Sequence, residues 1–345
     1  LKMTNKSFLF FICISIFFFT PSCSSEEIKE EENKIAETHS KIEITIETPE
    51  FSSDSAYNFI KKQVAFGPRI PNSKEHLECA KWLQNKMSKY NFEVQIQEGI
   101  VYAFNGAVLN MKNIIARYNS SAKSRILLCA HWDTRPFADR DTLNQNLPID
   151  GANDGGSGVG VLLEIARNIS NSDLKTGIDI IFFDAEDYGA PSMSGQFFDI
   201  NAMNNTWCLG SQYWCNNPTI ENYKPKYGIL LDMVGAKDAI FPKEGISRQF
   251  AGIHVNKIWK EAAKLGYGKY FALKVAPPIT DDHTYLNQYA GIPTLDIIHY
   301  TPRHTYGNFD FGKFHHTHSD NMDIINKETL KAVGQTVLHV IFQDI

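Results

Sequence analysis

From residue 54 onward the chain alternates between two hydrophobic periods. KEHLECAKWLQNKMSKY (74–90) has apolar residues at 77, 80, 83, 87 and 90, which is the spacing of one helix face. FEVQIQEGI (92–100) alternates apolar with polar residues and predicts an exposed strand, followed by a second strand in MKNIIARYN (111–119). SRILLCAH (124–131), GIDIIFFDAED (177–187), YGILLDMVGA (227–236) and IPTLDIIHY (292–300) are near-continuous apolar runs, as expected of parallel strands covered on both faces. Helical patterns fall at 56–66, behind the capping residues Ser53-Asp54-Ser55, and at 156–170, 250–266 and 326–345. There is no internal repeat. The alternation predicts an α/β fold: a single domain with a mixed, mostly parallel central sheet flanked by helices on both faces.

The amino-terminal residues follow a different logic. Lys2 and Lys6 precede SFLFFICISIFFF (7–19), an apolar run short for a bilayer span and typical of a signal-peptide core. Residues 1–23 are therefore expected to be a signal peptide. Cys23 follows small residues, in the manner of a lipoprotein signal that leaves the cysteine lipidated. Residues 24–53 are expected to be an acidic linker, because residues 24–50 hold nine Glu and three Lys. The expected location is exported, in the periplasm or anchored by lipid to the outer membrane of a bacterium. Lys2 and Lys6 and the acidic stretch account for all but −1 of the net charge of −5, so residues 51–345 are near neutral. Nothing in this balance suggests a nucleic-acid binder, which would show a basic face, and no nucleic-acid partner is expected. Cys79, Cys129, Cys208 and Cys215 have no zinc-type Cys spacing. Cys129, inside an apolar strand, reads as a buried thiol, and Cys208 and Cys215 are near enough in sequence to pair.

The chemistry-bearing residues sit where these strands end. His131 and Asp133 close one run; Asp184, Glu186 and Asp187 close another; Asp232 closes a third. FHHTHSD (314–320) lies beyond the last. In open α/β sheets, sites form at the carboxyl ends of strands. His131, Asp154, Asp187, Asp232 and one of His315, His316 and His318 offer the imidazole and carboxylate ligands that zinc takes. In Glu186-Asp187, one carboxylate can bind metal while the other moves a proton. His299 and His304 are expected to have packing or surface roles.

HWD (131–133), GANDGGSGVGVLLEIAR (151–167), FFDAED (182–187), LLDMVGA (230–236) and HHTHSDN (315–321) resemble, in order, the zinc-dependent aminopeptidase-type (M28-type) exopeptidases. WCLGSQYW (207–214), IFPKEGISRQFA (240–251) and TDDHTYL (280–286) bring the resemblance closest to the bacterial glutaminyl cyclases within that group. These acyltransferases convert an amino-terminal Gln of a peptide or protein to pyroglutamate and release ammonia. The resemblance covers roughly residues 54–345 and implies that this stretch is the catalytic domain. It implies one zinc per chain held by Asp154, Asp187 and His316, with Glu186 as proton shuttle and Asp232 and Asp281 as its hydrogen-bonded acidic partners. Asp281, rather than Asp282, opens the family-like Asp-Asp-His. His315 and Asp296 depart from the animal enzymes, which carry Trp and His there. Trp207 and Trp214 are candidate pocket walls.

Two rivals stand beside this reading. A dinuclear zinc aminopeptidase would use His131 and Asp232 for a second metal, and both residues are present. A surface lipoprotein keeping the fold as a binding module would have lost a ligand or Glu186, and neither is lost.

Overall fold

The computed structural model describes residues 47–191, 199–302 and 309–343. Cys23, the expected signal peptide, most of the expected linker and His304 lie outside the described residues. The elements follow the hydrophobic pattern. Helices α1 (Ser53–Val64) and α2 (Lys74–Lys89) lead into β1 (Glu93–Tyr102), β2 (Val108–Tyr118) and β3 (Arg125–His131). Next come α3 (Gly156–Ser170), β4 (Gly177–Phe183), the short helices α4 (Ile200–Asn204) and α5 (Leu209–Asn216), and β5 (Gly228–Asp232). The chain continues through β6 (Phe241–Lys243), α6 (Gly245–Lys264), β7 (Phe271–Val275), α7 (Asp282–Gln288), β8 (Thr294–Ile298), β9 (Thr301–Pro302) and β10 (Phe309–Asp310), and ends in α8 (Lys327–Phe342).

The central sheet has the order β1-β2-β4-β3-β5-β8. β4, β3, β5 and β8 run parallel, while β2 joins β4 and β1 joins β2 antiparallel. This is the mixed, mostly parallel sheet that the apolar runs predict. Its two faces are built by the period-2 alternation of a strand. Ile126, Leu128 and Ala130 of β3 enter a large core shared with α1, α2, α3, α6 and α8. Leu127 and Cys129 enter a smaller one with Trp214 of α5 and Leu286 of α7. Helices therefore cover both faces. Among the described residues no helix is long and apolar enough to cross a membrane.

Local chemistry explains where the boundaries shift. α1 begins at Ser53 because the Ser52 hydroxyl accepts the Ser55 N–H. α6 starts well before residue 250: Glu244 caps it, accepting the N–H groups of Ile246 and Ser247. Its apolar pattern is weak up to the kink at Ala251, so periodicity misses the first turns. Phe51, within the stretch read as linker, is buried, and its N–H bonds Gln335 of α8. Leu77 faces solvent, while His76 is buried, 2.9 Å from both carboxylate oxygens of Asp184 and stacked on Trp132. The described cysteines are free thiols, so Cys208 and Cys215 are not paired.

Candidate active site

The carboxyl ends of β3, β4, β5 and β8 open onto one cavity of about 580 Å³. Asp154, Glu186, Asp187, Asp232, Asp281, His315 and His316 all line it. Each is delivered by a turn with a physical cause. Asp154 precedes Gly155, whose φ of +78° suits glycine. A Cβ there would lie 2.8 Å from the Asp133 carbonyl oxygen and 2.9 Å from the His131 ring. Asp320 grips the same loop, its carboxylate accepting the N–H groups of Asn153 and Asp154 at 2.7 and 3.0 Å. On the other side Asp133 accepts the N–H groups of Glu186 and Asp187, both at 3.1 Å. Ala185, Met233 and His316 have positive φ, so the strand-end turns after β4 and β5 and the histidine loop hold unusual backbone.

His316 Nε2 lies 3.2 Å from Asp187 Oδ1 and 3.9 Å from Asp154 Oδ2. Its other nitrogen is 3.5 Å from Asp139, a carboxylate placed to orient the ring. Trp207 stacks on it at 5.6 Å with 8° between planes, and the Arg135 guanidinium lies over the same indole, 4.6 Å from the ring centroid. Fully buried Arg135 also donates to the Asp187 carbonyl at 2.9 Å. His315 approaches Asp154 at 4.0 Å but takes an Arg140 N–H on Nδ1. His318 bonds Asp141 instead. The three histidines left open by the sequence thus separate by partner. His299 packs edge-on against Phe314, a packing role.

His131 Nε2 sits between Asp154 Oδ1 at 3.0 Å and Asp232 Oδ1 at 3.2 Å. Glu186 Oε1 accepts the Cys208 thiol at 3.2 Å, and Asp281 offers a carboxylate oxygen within 4.8 Å of that pair. Asp282 is wholly buried and does not line the cavity. Trp207 lines the cavity, whereas Trp214 is a core residue packed against Phe183.

Burial dominates the electrostatics. It pushes the carboxyls of Glu186 and Asp187 well above the usual range, the latter with help from Asp154, and Asp232 up to about 7. It drives the His316 imidazole well below its ordinary value, assisted by His315. Burial also opposes ionisation of Asp154, but the hydrogen bond and charge of His131 outweigh it. The result is a neutral imidazole beside carboxyls too crowded to ionise together, and Asp187 Oδ2 is buried with no partner. A divalent cation accepted by two carboxylates and an imidazole would satisfy all of these at once. A larger groove of about 770 Å³ runs past Glu50, Tyr267 and Lys331. It has no imidazole, and its Lys327 and Lys331 pair with Asp54 and Glu50, so it offers no comparable chemistry.

Asp320, Asp139 and Arg135 had no assigned role in the sequence, Asp133 was noted only as a strand-end acid, and Cys208 was read only as a possible disulfide partner. Asp133 stands two residues after His131, Asp320 lies in the HHTHSDN motif and Cys208 in WCLGSQYW; Asp139 and Arg135 carry no local signal.

The sheet order and the acids and imidazoles at its carboxyl edge define the class, an α/β domain of the zinc-exopeptidase type. The pattern of peptidase family M28 matches residues 113–341, and the chain belongs to that family. The structure of Bacteroides thetaiotaomicron glutaminyl cyclase bound to N-acetylhistamine is similar, with 49% identity and a TM-score of 0.81, covering 86% of this chain and 99% of that one. A Zn-dependent exopeptidase from Parabacteroides distasonis is similar at 47% identity and a TM-score of 0.80, with the same coverage. Aminopeptidase YwaD of Bacillus subtilis is 25% identical over 226 residues, which is 63% of this chain and only 40% of that relative.

Proposed function

We propose that this protein is a zinc-dependent glutaminyl cyclase, an acyltransferase that closes the amino-terminal Gln of a peptide or protein to pyroglutamate and releases ammonia. The observation that carries the reading is the placement of Asp281 beside Glu186 in a cavity that also receives Asp232. Hydrolysis and cyclisation both need a carboxylate that takes a proton from the nucleophile and returns it to the departing nitrogen, and Glu186 suits either. What favours cyclisation is the extra acid, since Asp281 can draw Asp232 into hydrogen bonding and away from a second metal. The likeness to a glutaminyl cyclase over 86% of this chain supports the same conclusion.

Asp154, Asp187 and His316 would hold one zinc, which when bound supplies Lewis-acid polarisation of the γ-carboxamide. The protein's own residues do the rest. The Trp207 wall and the cavity hold the Gln residue so that its amine and side-chain carboxamide meet, an intramolecular attack in which positioning provides much of the rate. Glu186 takes the amine proton at its carboxylate and delivers it to the leaving nitrogen. Asp232 and Asp281 hold Glu186 in hydrogen-bonded register. No water attacks.

The cluster of His131, Asp154 and Asp232, whose ligand atoms lie within 4.8 Å of one another, favours one rival, a dinuclear aminopeptidase. Residues 1–23 extend the proposal to an exported lipoprotein anchored through Cys23, to be checked by mass spectrometry of the mature amino terminus.

Metal content and one variant test the catalytic reading. Purified protein is expected to hold one zinc per chain. Glu186→Gln is expected to fold, keep the zinc and lose about a hundredfold or more in ammonia release from a Gln-led peptide. Two tightly held zincs, or an unimpaired variant, would count against it.

A further inference from the structure

Behind the cavity wall lies a buried polar group that neither the zinc site nor the proton shuttle uses. Asp296, in the middle of β8, is wholly buried. Its backbone N–H bonds the Ser247 hydroxyl, but neither of its carboxylate oxygens has a hydrogen-bond partner. Asp281 Oδ2 and His283 Nδ1 are likewise buried without partners. Ligand atoms of Asp281, His283 and Asp296 lie within 4.8 Å of one another, with His283 Nδ1 3.8 Å from Asp296 Oδ2. A buried carboxyl with no donor is costly to keep, so its surroundings must say which of these groups carries a proton.

The neighbours fix the polarity of the chain. Glu244 accepts N–H groups from Ile246 and Ser247 at 2.7 Å and from Ile279 at 3.0 Å, the pattern of a carboxylate. His283 Nε2, 3.1 Å from Glu244, therefore donates to that carboxylate, while its Nδ1 stands 3.8 Å from Asp296, beyond hydrogen-bond reach. At the other end, Asp281 Oδ1 accepts the Asp282 N–H as the cap of α7, so Asp281 is also tied as an acceptor. Asp296 thus has no donor within hydrogen-bond reach and faces Asp281, already tied as an acceptor, so it fits there as a donor.

We propose that Asp296 is a positioning residue for Asp281: in its protonated form it donates a hydrogen bond to Asp281 Oδ2 and so fixes the carboxylate that backs Glu186. Burial, then the charge of Asp281, raises the Asp296 carboxyl well above its usual range, in keeping with this. The inference rests on the reading of Asp281 as the acidic partner of Glu186.

The test compares donors with non-donors in the full-length, zinc-loaded protein. Asp296→Asn keeps the size and donates an N–H, whereas Asp296→Leu donates nothing. The asparagine variant is expected to stay within about threefold of wild-type kcat. The leucine variant is expected to lose about tenfold or more in kcat with little change in KM, as for a lost hydrogen bond to a charged group. If the leucine variant does not fold, Asp296→Ser against Asp296→Ala makes the same comparison. Equal losses in donor and non-donor variants that keep zinc and melting temperature would overturn the proposal and point to a need for the negative charge, as at a second cation. Full activity in the non-donor would overturn it outright. Asp281→Asn, run in parallel, separates the two ideas, since an unimpaired variant there sinks the role of Asp281 itself. Activity is read as ammonia from a Gln-led peptide or, if wild type releases none, as free Leu from a Leu-led peptide.

Discussion

Asp133 shows how much of the site depends on a residue that does not line its cavity. Both of its oxygens are taken by the N–H groups of Glu186 and Asp187, so one carboxylate aims the proposed base and the proposed metal ligand together. Replacing it with Ala strands two buried donors, at a cost of about 2–4 kcal/mol. Asp133→Ala is therefore expected to unfold earlier in urea and to bind zinc about 10–100-fold more weakly, as ligand-orienting partners do. A variant with wild-type zinc affinity would show that the turn after β4 holds its shape without Asp133. Sequence reading reached His131, Asp154, Glu186, Asp187, Asp232, Asp281 and His316 because each stands at a strand end or in a family-like motif. The same reading could not rank the histidines by physics alone. Asp139 and Trp207, which set His316 apart, come from segments far away in sequence.

At the scale of elements, the site is a matter of spacing between α3 and the sheet. Gly158 lies on the α3 face that meets β3 and β5. A Cβ there would fall 2.2 Å from the Leu231 carbonyl oxygen and 2.9 Å from the Ala130 side chain. A carbonyl of the sheet cannot rotate aside as a side chain can. Gly158→Ala must push the amino-terminal end of α3, with Asp154 just before it, away from Asp232. The expected cost is about 2–3 kcal/mol for overpacking, together with weakened zinc binding. Thermal melts with and without a chelator would check this, and an unchanged melt would mean that the helix slides without loss. Long apolar strands and long amphipathic helices were legible in the sequence because their period is their burial pattern. The helices α4, α5 and α7 were not. They are too short for a period to establish itself, and α7 begins at a capping box made by Asp281 and Thr284 rather than at an apolar stripe.

For the whole molecule, the cluster of buried ionisable groups couples stability to pH, and His299 isolates one contribution. Burial lowers its imidazole to about 4. The unfolded chain takes up this proton below about 6.5. Stability from this residue is therefore intact above that value and falls as pH drops through the window from about 6.5 to about 4, by up to about 3 kcal/mol. His299→Phe keeps a ring against Phe314 and removes the proton site. The stability of the variant relative to wild type is expected to grow when urea melts at about pH 7 are repeated at about pH 4.5. A difference that stays constant with pH would contradict this. The α/β class and the common edge of the polar residues were readable from order alone. The sheet order and the burial that shifts these proton affinities needed the three-dimensional packing.

The most direct test of the central claim is the mass of what leaves a Gln-led peptide after incubation with the purified, zinc-loaded protein. The account predicts a product lighter than the substrate by one ammonia, with no free Gln and no product from a Leu-led peptide. Release of the free amino-terminal residue without ammonia would contradict it and assign the site to peptide hydrolysis, with His131 and Asp232 as ligands of a second metal.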